Sequence, residues 1–192
     1  MPFTPYHLGP ALFIGLLFLD FIDFPTFLVV SVIVDVEPFL VLAFNLNYPL
    51  HGFFHSLLGG TILAVPLALV MYKIRDKLSP VMSFFKLEQK ISFKRILAAS
   101  LVGVYIHILL DSRMYTDIKP FFPSSYNPLL TTGVLAGLDS YVFCICSFFG
   151  AAIIYAIRVI VFYRKKRLDA GFSSQYNSFH EEERHGDCSH CC

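Results

Sequence analysis

The chain has 192 residues, of which 56% are hydrophobic, 21 are Phe and only 15% are charged. A mean hydropathy of +0.63 with long apolar runs places it in a bilayer and excludes an ordinary water-soluble domain. The net charge of +1 gives no electrostatic case for nucleic acid, so the placement of charge carries more than its sum.

No basic region precedes the first apolar run, so no cleavable signal peptide is expected. That first segment, about residues 7–22, is short for a span and ends at Asp20 and Asp23, which read as a turn before Pro25. The second, about 25–44, is long enough but is interrupted by Asp35-Val-Glu37-Pro38. Proline removes a backbone donor and disfavours helix just before it, so a break is expected near Pro38. Carboxylates at such a break must face protein and not lipid. The third segment, about 53–72, opens on His51-Gly-Phe-Phe-His55-Ser56 and carries Gly59-Gly60, a surface that admits a neighbouring helix closely. The fourth, about 96–114, holds His107 and Asp111, and the fifth, about 141–163, is the cleanest span. The fold class expected is therefore all-α, a polytopic membrane helical bundle of about five segments over residues 1–168. The polar stretch 169–192 has no apolar periodicity and is expected to be a disordered cytoplasmic tail.

The positive-inside rule orients these segments. Between segments three and four, Lys73 to Arg95 holds seven Lys/Arg against two acids, and Arg164-Lys-Lys-Arg167 follows segment five. The stretch 45–52 has no Lys or Arg, and 113–139 has only Arg113 and Lys119. The first two regions are expected on the cytoplasmic side of an inner membrane and the other two outside, with an external N-terminus.

Ionisable groups within apolar segments are functional candidates by default. On this topology His7, Asp35, Glu37, His51, His55, His107 and Asp111 all fall in the outer part of the bilayer, a coincidence of depth derived from Lys and Arg alone. His51/His55 and His107/Asp111 are both i,i+4 pairs, which a helix would place on one face. Imidazole with carboxylate suits Zn²⁺, and also Mn²⁺ or Fe²⁺. Seven groups exceed one tetrahedral shell, so either two ions bind or some groups orient the ligands or serve as a base, with Glu37 or Asp35 the candidates for bridging metals or for the base. A water on such an ion is acidified to about pKa 7 and can attack an ester or phosphoester.

Plainer readings stand beside these. A single membrane histidine is most often a helix–helix hydrogen bond, and His7 reads equally as an interfacial residue. Ser56 and Ser112 each follow a candidate ligand and read as packing hydroxyls sooner than nucleophiles. Tyr126-Asn127-Pro128 either covers the site or makes a turn. The tail clusters His180, His185, Cys188, His190, Cys191 and Cys192; its spacing fits no zinc finger, and free thiols on a solvated tail are the simpler expectation.

Thr4-Pro-Tyr-His7-Leu-Gly9, Asp35-x-Glu37, His51-x3-His55-Ser56 and His107-x3-Asp111 together resemble the YdjM family of membrane-bound, predicted metal-dependent hydrolases, in the same order over about residues 1–140. That family is thought to be related to the all-helical zinc-dependent phospholipase C and P1-nuclease group. The resemblance implies a metal held by His and Asp and hydrolysis of a phospholipid or other amphiphilic phosphoester. The seven polar positions named above fall on the family's own. One position departs: where the family's pattern has Arg after the first His, this chain has Gly52, and the bidentate phosphate contact that Arg would supply is missing. The expectation is an integral membrane, metal-dependent hydrolase. A transport or ion-handling protein with a His/carboxylate relay is the alternative, and a purely structural bundle is the third.

Overall fold

Capping side chains, prolines and one break decide where this chain is helical. The computed structural model describes the backbone of residues 5–133 and 137–186, with side chains for 6–133 and 137–171. Six α-helices and no strand occur among the described residues. α1 (Leu8–Leu17) follows a 3-10 turn at Pro5–His7. At ten residues and 1.5 Å per residue it falls well short of a hydrocarbon core about 30 Å thick. α2 (Phe24–Ile33) begins at Asp23, whose carboxylate accepts from the Thr26 amide at 3.2 Å and the Thr26 hydroxyl at 2.6 Å. Pro25 sits in the first turn, where its missing N–H has no partner to lose.

α2 ends at Ile33 and α3 (Val36–Ala43) begins after a turn at Val34–Asp35. The break therefore precedes Pro38 by three residues; Pro38 itself lies in the first turn of α3, where a donor is not needed. Phe24–Ala43, Leu57–Phe84, Phe93–Ser112 and Leu138–Gly171 are each long and apolar enough to cross a membrane. With the shorter α1 they make five apolar segments, as composition led one to expect.

α4 (Leu57–Phe84) departs from the expected span at both ends. Its start is delayed because Ser56 caps it, accepting from the Gly59 amide at 3.0 Å while donating to the Phe53 carbonyl at 2.7 Å. Its end runs three turns past residue 72, into what reads as a basic loop. Arg75 is the reason. Only 1% exposed, it pairs through Nε with Asp23 Oδ1 at 2.6 Å, so the helix buries a charge that sequence alone assigns to water. Asp23 is thus a cap and an ion-pair partner together, while Asp20 is exposed.

α5 (Phe93–Ser112) packs on α4 and α2, with Val30, Val34, Ala64, Val104 and Ile108 forming a fully buried cluster. Gly60 permits this closeness: a Cβ there would lie 2.5 Å from Val104 Cγ1 and 2.7 Å from Ile108 Cδ1. Deeper along the pair, Ala68, Met71 and Ile96 make a second cluster. The α1–α2 turn is clamped by Gln89, which accepts from the Phe24 amide at 2.9 Å and donates to the Ile22 and Leu19 carbonyls, and by Arg95, which donates to Leu19 O at 2.7 Å.

The chain divides into two units, Met1–Ile154 and Tyr155–Cys192. In the first, α6 starts at Leu138 and buries Ser140, Cys144, Ser147 and Ala151 along one face. The second holds the rest of α6, which is helical to Gly186 where a disordered tail was expected from 169. Residues 138–186 contain no proline, so no missing N–H interrupts the helix there. The His/Cys cluster of the tail lies outside the described side chains.

Candidate metal centre

Three chain segments deliver four ionisable groups to one end of the first unit. Asp35, His55, His107 and Asp111 are all buried, and one ligand atom from each lies within 4.8 Å of every other. This group could hold a metal ion. Asp35 comes from the joint between α2 and α3, His55 from a 3-10 turn at Phe53–His55, and His107 and Asp111 from adjacent turns of α5.

The helix break does two things here. In an unbroken helix the Asp35 amide would bond to the Ser31 carbonyl; instead it bonds to Val32 O at 3.1 Å. The Ser31 carbonyl is left for His107 Nδ1, at 2.8 Å. A carbonyl only accepts, so Nδ1 carries a proton, and Nε2 is the nitrogen turned toward the carboxylates. That Nε2 lies 3.4 Å from Asp35 Oδ1 and 3.3 Å from Asp111 Oδ2 and hydrogen-bonds to neither. A lone pair facing two carboxylates is repulsive unless a cation sits among them, either a proton or a metal.

His55 is aimed in the same way. Its Nδ1 lies 2.9 Å from Glu37 Oε2, and the other oxygen of Glu37 accepts from the Phe54 amide at 3.3 Å. Its Nε2 is buried with no partner among the described residues. Burial pushes the His55 imidazole below the usual histidine range, against the opposing pull of Glu37, so the neutral form is favoured. Glu37 on the remote nitrogen and a free Nε2 make the carboxylate–histidine arrangement that supports a metal ligand.

The other candidates sit around this group. His7 Nε2 is 3.0 Å from Asp111 Oδ1, and its ring stacks on His107 with centroids 4.1 Å apart. His51 and His55 are not on one helical face, as i,i+4 spacing suggests: both precede the Ser56 cap, and only His55 lies in a 3-10 turn. Their rings nonetheless meet edge to face at 4.9 Å. His51 Nδ1 is 3.0 Å from both oxygens of Asp117, which also accepts the His51 amide at 3.1 Å. The Tyr115 ring lies 4.3 Å from that of His51, and burial raises its hydroxyl above the usual tyrosine range. Of the seven candidates, then, four form the group, Glu37 holds His55, His7 holds Asp111, and His51 stands at the edge.

Asp117 and the Ser31 carbonyl escape sequence reasoning. Asp117 meets its partner across 66 residues, and no spacing marks it. Ser31 acts through its backbone, and only the neighbouring break hints at it. The two hydroxyls beside candidate ligands have structural partners: Ser56 is the α4 cap, and Ser112 donates to Ile108 O at 2.6 Å. Asn127 makes a turn, donating to Ser112 O at 2.8 Å and accepting from the Leu129 amide at 3.1 Å.

Comparisons with protein-family models, with curated proteins and with solved structures return no match.

Proposed function

We propose that this chain is an integral membrane, metal-dependent hydrolase whose site opens on the outer side of an inner membrane and cleaves an ester or phosphoester of amphiphilic, lipid-derived type. The observation that carries the reading is the pair of imidazole Nε2 atoms, on His55 and His107, facing two buried carboxylates without a hydrogen bond. Two imidazole nitrogens and two carboxylate oxygens make the donor set of a zinc ion, and also accept manganese or iron. Two carboxylates would balance the charge of one divalent ion. A divalent cation in this position supplies an acidified water, with a pKa near 7, as nucleophile.

The chain's own residues divide the remaining work. Asp35, His55, His107 and Asp111 hold the ion. Glu37, with both oxygens engaged by the 53–55 turn, orients His55 and is not free to act as a base. Asp35, at a joint and not inside a helix, is the carboxylate best placed to share a proton with the water. The outward opening follows from the excess of Lys and Arg at the opposite end of the bundle.

The test is metal content of protein purified without chelator. About one Zn, Mn or Fe per chain is expected, lost in His55→Ala/His107→Ala. Content below about 0.2 per chain, unchanged in that variant, would overturn the reading.

A second reading draws on the run of close buried contacts from His7 through Asp111 and His107 to Asp35. Such a run also suits a proton or cation relay. Ion flux in proteoliposomes that persists after the metal is stripped would select it.

A further inference from the structure

Two cavities meet at Tyr48 and are lined by the chain neighbours of His55, Phe54 in one and Phe53 and Ser56 in the other, and they differ in character. The first, about 350 Å³, lies along α3 and is walled by Ile33, Val36, Leu40, Leu46 and Leu63, with Glu37 as its one charged side chain. Both oxygens of Glu37 are already bonded, so the space itself is apolar. The second, about 290 Å³, is lined by His51, Ser56, Asp117 and Lys119 among others. Asp117 turns both oxygens toward His51. The Lys119 side chain is exposed and has no ion pair among the described residues, so its ammonium can take an anionic partner there.

Tyr48 belongs to both cavities. Its hydroxyl accepts from the Phe53 amide at 2.9 Å, which holds the ring against Gly52. A Cβ at Gly52 would collide with the Tyr48 ring, so glycine at that position is what lets the ring stand between the two spaces. Val36, Leu40 and Leu46 are themselves exposed, so a chain dissolved in the bilayer could reach the first cavity without crossing water.

Resting on the hydrolase reading above, we infer the class of its substrate: an amphiphile with one alkyl chain and an anionic head, the chain lying in the cavity along α3, the head beside His51 and Lys119, and Tyr48 dividing the two. Ligand pockets begin at roughly 300 Å³, so the first cavity suits one chain and not a whole two-chain lipid. Lys119 supplies the countercharge for the head.

The chain contains no tryptophan, so Leu46→Trp places a single indole at the apolar cavity, and Phe84→Trp places one at the far end of α4 as a control. In lipid nanodiscs, 11-bromoundecylphosphonate is titrated against each, with metal content measured on the same samples. Saturable quenching of Leu46→Trp at about tenfold lower probe than the control is expected. Adding Lys119→Gln should weaken it about tenfold, Lys119→Arg should restore it, and methylphosphonate, with the head but no chain, should fail to compete. Equal, non-saturating quenching at both indoles, or quenching indifferent to Lys119→Gln, overturns the inference. Metal bound without saturable quenching removes this inference and leaves the hydrolase reading. Saturable, Lys119-dependent quenching on a protein that binds no metal leaves an amphiphile site and removes the hydrolase.

Discussion

Glu37 gives one oxygen to the Phe54 amide and the other to His55 Nδ1. At the scale of single residues these two bonds make Glu37 a partner of His55 and set it apart from the four residues of the buried group, a distinction that spacing alone does not draw. The existence of the seven candidates was legible, because an ionisable side chain in an apolar run is conspicuous whatever its partner. Their roles were not, because a role depends on which nitrogen is occupied and by what. Glu37→Gln should test the orienting role. The amide oxygen can still accept one bond, so the fold should survive. The lost charge should lower metal affinity by about 10–100-fold, read by competition with a chelator. An effect under about twofold would return Glu37 to the surroundings of the site. Asp117, tied to His51 across the sequence, shows the limit: one acid in an outer loop looks like any other until its imidazole is seen.

Elements were easier to find than to delimit. Hydropathy located all five apolar segments, because twenty apolar residues have few other fates. It misjudged α4 at both ends, because Ser56 and Arg75 act through specific partners and not through average polarity. Arg75 is the sharper case, since a cation in a basic stretch normally belongs to water, and only Asp23 on another element makes its burial tolerable. Arg75→Met should leave Asp23 buried without its counter-ion and destabilise by about 3–5 kcal/mol, whereas pairing it with Asp23→Asn should recover much of that loss. Thermal unfolding of the single and double variants measures it. At the α4–α5 contact, Gly60→Ala must push against Val104 and Ile108 and should cost about 1–3 kcal/mol by the same assay.

Across the unit of residues 1–154, polarity separates by end. The buried His/carboxylate group lies where α3 begins, α4 begins and α5 ends; Arg75, Gln89 and Arg95 lie where α1 ends and α5 begins. Composition made the membrane class legible from the first. The gathering of distant groups at one end was legible only as a coincidence of depth, since the bonds themselves depend on backbone placement. Orientation can be checked with single cysteines in a background free of the five native ones. Tyr126→Cys should react with an impermeant maleimide added outside, and Lys90→Cys should react only after permeabilisation. The reverse pattern would turn the site to the cytoplasm.

The break at Val34–Asp35 makes the site a matter of register. Asp35 is aimed from a joint, Glu37 from the first turn of the helix after it, and His107 is fixed by the carbonyl that the joint releases. Each α-helical residue turns the chain by about 100°. Removing one residue between Ile33 and Val36 would therefore swing Glu37 away from His55, and a helix made continuous there would take back the Ser31 carbonyl. Chain length at that joint is as much a determinant of the centre as the identity of any side chain in it.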